Sequence, residues 1–184
     1  MRHAAHADFG HRLTGRGSDG GLTQEGSRQA DALATELSDE AVAAVYASPR
    51  LRTRQTAEAI AAVHSRPVIV AEPLDEIDFG AWTGRSFEEL DGRPEWDHWN
   101  SRRSLARCPD GESMAEARDR AAAFVDEVGQ RHPQQTVVLV THCDIIRALL
   151  CREHGRSLDD ILSFEAEPAS VARLAVGARR KAAA

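Results

Sequence analysis

The stretch TVVLVTHCDIIRALLCREHG, residues 136–155, decides the fold class. It opens with a β-branched apolar run and closes with a segment whose apolar residues fall on one face of a helix. An apolar strand that passes within two residues into a helix is typical of a parallel sheet covered on both faces. His142 ends the strand and Cys143 opens the helix, where free backbone N–H groups favour an anion.

The rest of the chain continues this alternation of strands and helices. Residues 22–37 predict an amphipathic helix capped by Thr23, residues 41–48 predict a buried strand, and a second helix extends through Val63. The next elements are a strand over residues 67–73 and a stretch of loops and short helices through Arg107. A long helix then opens at residues 111–113 and ends at residues 132–133, and a last strand covers residues 171–177. We therefore predict a three-layer α/β sandwich with a mainly parallel central sheet and helices on both faces.

The chain has the size of one domain. Its 184 residues predict a single domain over residues 1–177 and a tail, residues 178–184, that we expect to be disordered. A segment near residues 82–107 is expected to act as a lid. Its aromatic residues, Trp82, Trp96 and Trp99, are expected to pack in the core or the lid, whereas its arginines are expected to form a solvated face: Arg85, Arg102, Arg103 and Arg107.

Composition and charge narrow the function classes. No apolar run approaches the length of a membrane span, and the first residues lack the apolar region of a secretion signal, so we expect a cytoplasmic protein without a membrane partner. Three cysteines without metal-site spacing favour neither a disulfide framework nor a zinc site. A net charge of -6 disfavours nucleic-acid binding. The oligomeric state stays open, a homodimer included.

Chemically capable side chains stand at strand ends and in turns, where α/β proteins bind ligands. Taken singly, each has an ordinary structural explanation, such as a solvated arginine on a helix surface. Glu76 also competes with its neighbours Asp75 and Asp78, since all three carboxyl groups lie in one turn. The candidates are Arg2, His3, Ser48, Arg52, Glu76 and His142.

Six motifs, taken in order, resemble the histidine phosphatase superfamily, also called the phosphoglycerate mutase-like family, over nearly the whole chain. They are Arg2-His3-Ala4 for RHG, residues 22–26 for LTxxG, Ser48, Arg52, Gln55, Thr56 and Ala57 for SxxxRxxQTA, Leu74, Glu76, Phe79, Gly80, Trp82 and Gly84 for LxExxFGxWxG, Gly111-Glu112-Ser113 for GES, and Val140 through Arg147 for VTHxxxIR. The length resembles the compact phosphatase branch of the family.

The resemblance implies roles for these residues. His3 would attack phosphorus and form a phosphohistidine, which its reference pKa near 6.5 permits at neutral pH. Arg2, Arg52 and His142 would hold the phosphoryl group, and Glu76 would be the general acid and then the general base. The substrate-binding set implied is Arg2, Thr14, Gly15, Arg52, His142 and Cys143. Thr14 and Gly15 could equally form an ordinary turn without a role in binding.

No metal and no cofactor are implied by the resemblance. His6 and His11 could join His3 and His142 in a metal site, but the neighbouring arginines would repel a cation and no carboxylate ligand pattern accompanies them. The implied substrate is a small phosphorylated metabolite. The alternatives are a mutase-type phosphotransferase, although mutases of the family have longer chains, a phosphatase of a phosphorylated signalling protein, and a non-catalytic binding module.

The start of the chain departs from the family pattern. RHG becomes Arg2-His3-Ala4, and Ala5 and His6 replace the Glu and Thr that commonly follow. An apolar strand that normally precedes the RH pair has no counterpart before Met1. We therefore favour an upstream strand that is missing from the chain as written, which would leave His3 poorly anchored, over a sheet whose centre is frayed or filled differently.

Overall fold

Three parallel strands form the sheet of the computed structural model, which describes residues 1–17 and 20–176. The strands are β1 (Val42–Ala47), β2 (Val68–Val70) and β3 (Thr136–Val140), in the order β2-β1-β3. Tyr46 of β1 lies opposite Ile69 of β2 and Leu139 of β3. The tail that we expected to be disordered, residues 178–184, lies outside the described residues.

Six α-helices accompany this sheet in the described residues. They are α1 (Gln24–Leu37), α2 (Leu51–Val63), α3 (Phe87–Leu90), α4 (Pro94–Ser101), α5 (Met114–Arg131) and α6 (Cys143–Glu153). Short 3-10 turns cover Glu72–Leu74, Gly80–Trp82 and Leu158–Ser163. Thr23 caps α1 by accepting a hydrogen bond from the Gly26 N–H, as predicted. Within the described part of the chain, every helix is too short or too polar to cross a bilayer.

Helices cover both faces of the sheet because the side chains of β1 alternate between them. Val45 and Ala47 pack with the apolar residues of α1 and α2 in one cluster. Ala44 and Tyr46 face the other side, where they pack with Phe124 of α5. The predicted three-layer α/β sandwich is confirmed.

The segment 82–107 is held against the body of the protein by its aromatic side chains. Trp82 and Trp99 are buried, and the Trp82 ring meets the rings of both Trp96 and Trp99 edge to face. The expectation of a solvated arginine face is wrong for Arg103. Its guanidinium carbon lies 5.0 Å from the centre of the Trp99 ring, and Nη1 lies 3.1 Å from Asp144 at the start of α6.

The edge of the sheet beyond β3 differs from the prediction. Residues 1–3 run beside β3, where the Met1 amino group donates to the Leu139 carbonyl and the His3 N–H donates to Thr141, so His3 is anchored. The predicted last strand is wrong over residues 171–176, which form no strand. A groove of about 440 Å³ separates those residues from β3, and extended backbone without a neighbour cannot complete a ladder.

Candidate active site

A cavity of about 210 Å³ opens where the parallel strands end. Seven of the eight residues to which the resemblance assigns a role line it, and they come from five separate parts of the chain: Arg2, His3, Thr14, Gly15, Arg52, Glu76 and Cys143. His142 is fully buried and lies behind the cavity wall, with its ring centre 5.2 Å from that of His3. The fold therefore brings the whole predicted set together, with one member in a supporting layer.

His3 is presented to the cavity as a neutral imidazole. Nδ1 lies 2.8 Å from the Ala4 carbonyl oxygen, which only accepts hydrogen bonds, so Nδ1 carries the proton and Nε2 keeps its lone pair. Burial, followed by the positive charge of Arg52, lowers the pKa of His3 well below its usual value. His3 thus has an unprotonated nitrogen at neutral pH without help from a separate base.

Two arginines flank His3, and backbone carbonyls fix both of them. Arg52 is buried on the first turn of α2, and its Nη2 donates to the Gly15 carbonyl at 2.8 Å. Arg2 donates from Nη1 to the Ala166 carbonyl at 2.6 Å. Gly15 has φ of 51°, a conformation that favours glycine, and this turn aims its carbonyl at Arg52. The arrangement concentrates two planar cations beside His3.

Of the three competing carboxyl groups, only that of Glu76 lines the cavity. Burial, followed by the negative charge of Asp144, raises the pKa of Glu76 to about 7. Asp75 is buried behind the wall, where it contacts Ser48 and Arg50. Asp78 points away and accepts from the Gly80 N–H. A carboxyl group that is partly protonated at neutral pH suits a proton donor.

The helix start at Cys143 and the loop at Thr14 complete the wall. Thr14 is buried, and its hydroxyl lies 3.4 Å from the Arg12 carbonyl. Burial raises the pKa of the Cys143 thiol to about 11, so this cysteine stays protonated and is a poor nucleophile at neutral pH. Across residues 1–17 and 20–176, no three or more His, Cys, Asp or Glu side chains are grouped to hold a metal ion.

The structure adds cavity residues that sequence reasoning did not assign. Phe9 and Phe87 are each about 40% exposed at the rim, beside Arg12. Single aromatic residues in loops give no sequence signal, because only the fold shows that they face a ligand site. His6, considered only as a metal ligand, also lines the cavity. Burial, followed by the charge of Arg52, lowers its pKa to about 4, so it is neutral.

Comparison with known proteins shows the family of the chain. The family model of the histidine phosphatase superfamily (branch 1) matches residues 1–184. Phosphoserine phosphatase 1 of Hydrogenobacter thermophilus is 37% identical over 164 residues, which cover 88% of this chain and 78% of the relative. The chain therefore belongs to the histidine phosphatase superfamily, in its phosphoglycerate mutase-like fold. It is accordingly a hydrolase of the phosphatase class.

Two solved structures show how closely the fold is shared. YhfR of Bacillus stearothermophilus superimposes with a TM-score of 0.85 at 27% identity, and the match covers 91% of this chain and 84% of that one. The phosphoserine phosphatase of Entamoeba histolytica, solved in complex with 3-phosphoglyceric acid, superimposes with a TM-score of 0.80 at 25% identity and the same coverage.

Proposed function

We propose that this protein hydrolyses small phosphomonoesters through a phosphohistidine on His3, without a metal ion. The observation that carries the proposal is the neutral His3 with a free Nε2, which shares one cavity with two fixed guanidinium groups and a carboxyl group of raised pKa. Each group meets one need of phosphoryl transfer, namely a nucleophile, neutralisation of the equatorial oxygens and a proton donor.

The proposed reaction has two displacements. In the first, a bond forms between His3 Nε2 and phosphorus, the bond from phosphorus to the ester oxygen breaks, and Glu76 gives its proton to the leaving oxygen. In the second, water attacks phosphorus while Glu76 takes one of its protons, and the nitrogen–phosphorus bond breaks. Inorganic phosphate leaves, and His3 and the protonated Glu76 are restored.

The proposed phosphoryl site consists of Arg2 and Arg52, with Thr14, Gly15 and Cys143 beside it and His142 behind it. Arg2 and Arg52 line the cavity and carry planar donors that suit phosphoryl oxygens. His142 supports the same place from behind, with Nδ1 lying 3.3 Å from Arg52 Nη2. Because the two guanidinium groups would repel a divalent cation, the charge pattern favours chemistry that does not need one.

The size of the cavity favours a small substrate. A volume of about 210 Å³ holds a phosphoryl group and a short organic part. The relatives named as phosphoserine phosphatases make O-phosphoserine the first compound to test. Arg12 and the exposed rings of Phe9 and Phe87 also line this cavity, and a guanidinium group there suits an organic part that bears a negative charge.

The proposal is tested by hydrolysis of an aryl phosphate and of a panel that includes O-phosphoserine and 3-phosphoglycerate, all in excess EDTA. We expect phosphate release from the wild-type protein and none above background from His3→Gln, which keeps a neutral polar side chain. Activity that disappears in EDTA and returns with a divalent metal would contradict metal independence. Interconversion of phosphoglycerates without net phosphate release would favour a mutase instead.

A further inference from the structure

The Asp75 carboxyl group is buried beside the active site but does not face its cavity. Its Oδ1 accepts the Glu76 N–H at 2.8 Å, lies 3.1 Å from Arg50 Nε and accepts the Ser48 hydroxyl at 3.2 Å. Ser48 is fully buried at the end of β1, and its Oγ lies 2.7 Å from His142 Nε2. Asp75, Ser48 and His142 thus form a continuous hydrogen-bonded chain, here called the relay.

The hydrogen-bonding capacity of Ser48 determines which nitrogen of His142 carries the proton. A hydroxyl has one proton to donate and two lone pairs to accept with. Ser48 donates its proton to Asp75 Oδ1, which also accepts the Glu76 N–H, and the backbone N–H of Arg50 donates to Ser48 Oγ at 3.4 Å. The remaining lone pair faces His142 Nε2. That nitrogen must therefore carry hydrogen.

The other nitrogen of His142 leads independently to the same tautomer. Nδ1 lies 3.3 Å from Nη2 of Arg52, and a guanidinium group donates hydrogen bonds but never accepts them. The other polar neighbour of Nδ1, Glu76 Oε2, lies 3.9 Å away, beyond hydrogen-bond distance, so Nδ1 presents its lone pair to Arg52. Burial, then the charge of Arg52, lowers the pKa of His142 well below its usual value, which leaves the ring neutral with one proton to place.

We propose that Asp75 and Ser48 are positioning residues that hold His142 in the Nε2–H tautomer, so that its Nδ1 orients the guanidinium group of Arg52 over the phosphoryl site. This rests on the proposed function in one respect, that Arg52 binds the phosphoryl group. Arg52 is then held on two sides, by Gly15 through a carbonyl and by His142 through Nδ1. Orientation of a guanidinium before substrate arrives lowers the ordering cost of binding.

Breaking the relay permits the wrong tautomer. In Ser48→Ala, Nε2 loses its acceptor, and no hydroxyl remains to join it to Asp75. In Asp75→Asn, the amide can donate to Ser48, which frees the Ser48 proton for Nε2 of His142. The Nδ1–H tautomer that results directs its N–H against the N–H groups of Arg52, which repels the guanidinium from its position.

The direct test is the ¹⁵N spectrum of the histidine side chains in the full chain, with the His142 signals identified by their loss in His142→Gln. The spectrum of the wild-type protein is recorded at a pH of about 7.5, roughly one unit above the reference imidazole pKa. We expect Nδ1 of His142 to have the chemical shift of an unprotonated nitrogen and Nε2 that of a protonated one. A protonated Nδ1 in this spectrum would overturn the proposal without any variant having to fold.

Calorimetric binding of inorganic phosphate shows whether the tautomer matters for the site. We expect Ser48→Ala and Asp75→Asn to bind phosphate about tenfold more weakly than the wild type, the loss typical of a charge-assisted hydrogen bond. Both should show a changed His142 spectrum. Thr53→Val is the matched control, because it removes a nearby buried hydroxyl whose hydrogen bonds go to the Ser48 and Arg50 carbonyls and not to the relay side chains. It should keep the wild-type spectrum and affinity.

The outcomes separate this inference from the proposed function. If Ser48→Ala keeps the His142 tautomer and the phosphate affinity of Thr53→Val, the relay is refuted. If only Ser48→Ala is impaired, the role of Asp75 is refuted. Hydrolysis by a wild-type protein that has the wrong tautomer refutes the relay alone, whereas the expected tautomer and phosphate affinity without any hydrolysis refute the proposed function alone.

Discussion

Replacement of Glu76 by Gln tests the proton donor, because the structure sets the size of the expected effect. The pKa of Glu76 is raised from 4.5 to about 7. At pH 7 about half of the Glu76 side chains are then protonated, against roughly 0.3% for an ordinary glutamic acid. Burial in this cavity therefore increases the acid form by about 150-fold at neutral pH.

The consequence of Glu76→Gln should depend on the leaving group. An alkyl alkoxide needs a proton in order to leave, so kcat/KM for an alkyl ester such as O-phosphoserine should fall by about 10² to 10⁴. A nitrophenolate leaves without one, and kcat/KM for nitrophenyl phosphate should fall by roughly tenfold or less. Gln keeps the size and polarity of the side chain, so the cavity is preserved.

Initial rates from pH 5 to 9 on both esters measure this effect. For the alkyl ester, kcat/KM of the wild-type protein should decline above pH about 7, since the acid form of Glu76 is lost there. The decline should be absent in Glu76→Gln. Equal losses on the two esters, or a wild-type profile that is flat to pH 9, would refute the assignment of Glu76 as the acid.

Three further predictions follow from the same geometry. His3→Ala should lower kcat/KM by on the order of a thousandfold or more, about 4 kcal/mol of barrier, as measured with the aryl phosphate; a loss of less than tenfold would remove His3 as nucleophile. Arg52→Lys should raise KM and lower kcat, because one ammonium group cannot reach both the Gly15 carbonyl and the phosphoryl oxygens. The control is Arg54→Lys, two residues further along α2, which should leave KM and kcat unchanged. Burial lowers the pKa of the Met1 amino group to about 5, and Met1 lines the groove beside β3. Five Thr and Val residues added before Met1 should therefore bury apolar surface there, increase the free energy of unfolding by about 2 kcal/mol and raise Tm by roughly 4–8 °C. A Gly–Ser extension of equal length should leave Tm unchanged.

The sequence was sufficient to predict the central elements of the fold. The apolar run at residues 136–140 and the Thr23 cap made β3 and α1 recognisable, and both elements lie where they were predicted. The last predicted strand does not form over residues 171–176, because pairing needs a neighbouring strand and β propensity alone cannot supply one. The burial of Arg103 was likewise hidden, since its partners Trp99 and Asp144 come together only in the folded chain.

The sequence predicted which residues belong to the site, but not which of them face the cavity and which lie behind its wall. The motifs singled out Arg2, His3 and Arg52, which all line one cavity. Apart from the motif match, nothing in the sequence distinguishes the carboxyl group of Glu76, which faces the cavity, from that of Asp75, which faces Ser48, because adjacent residues in a turn can point either way. The position of His142 behind the wall was also not readable from its place at a strand end.

Trapping of the phosphoenzyme tests the central claim most directly. The protein is mixed with ³²P-labelled aryl phosphate in excess EDTA, quenched in base within the first turnover and digested for mass spectrometry. The phosphohistidine mechanism predicts one label per chain on the peptide that contains His3, stable in base and lost in acid, and no label in His3→Gln. A wild-type protein that turns over the ester but carries no label on His3 in repeated rapid quenches would contradict it.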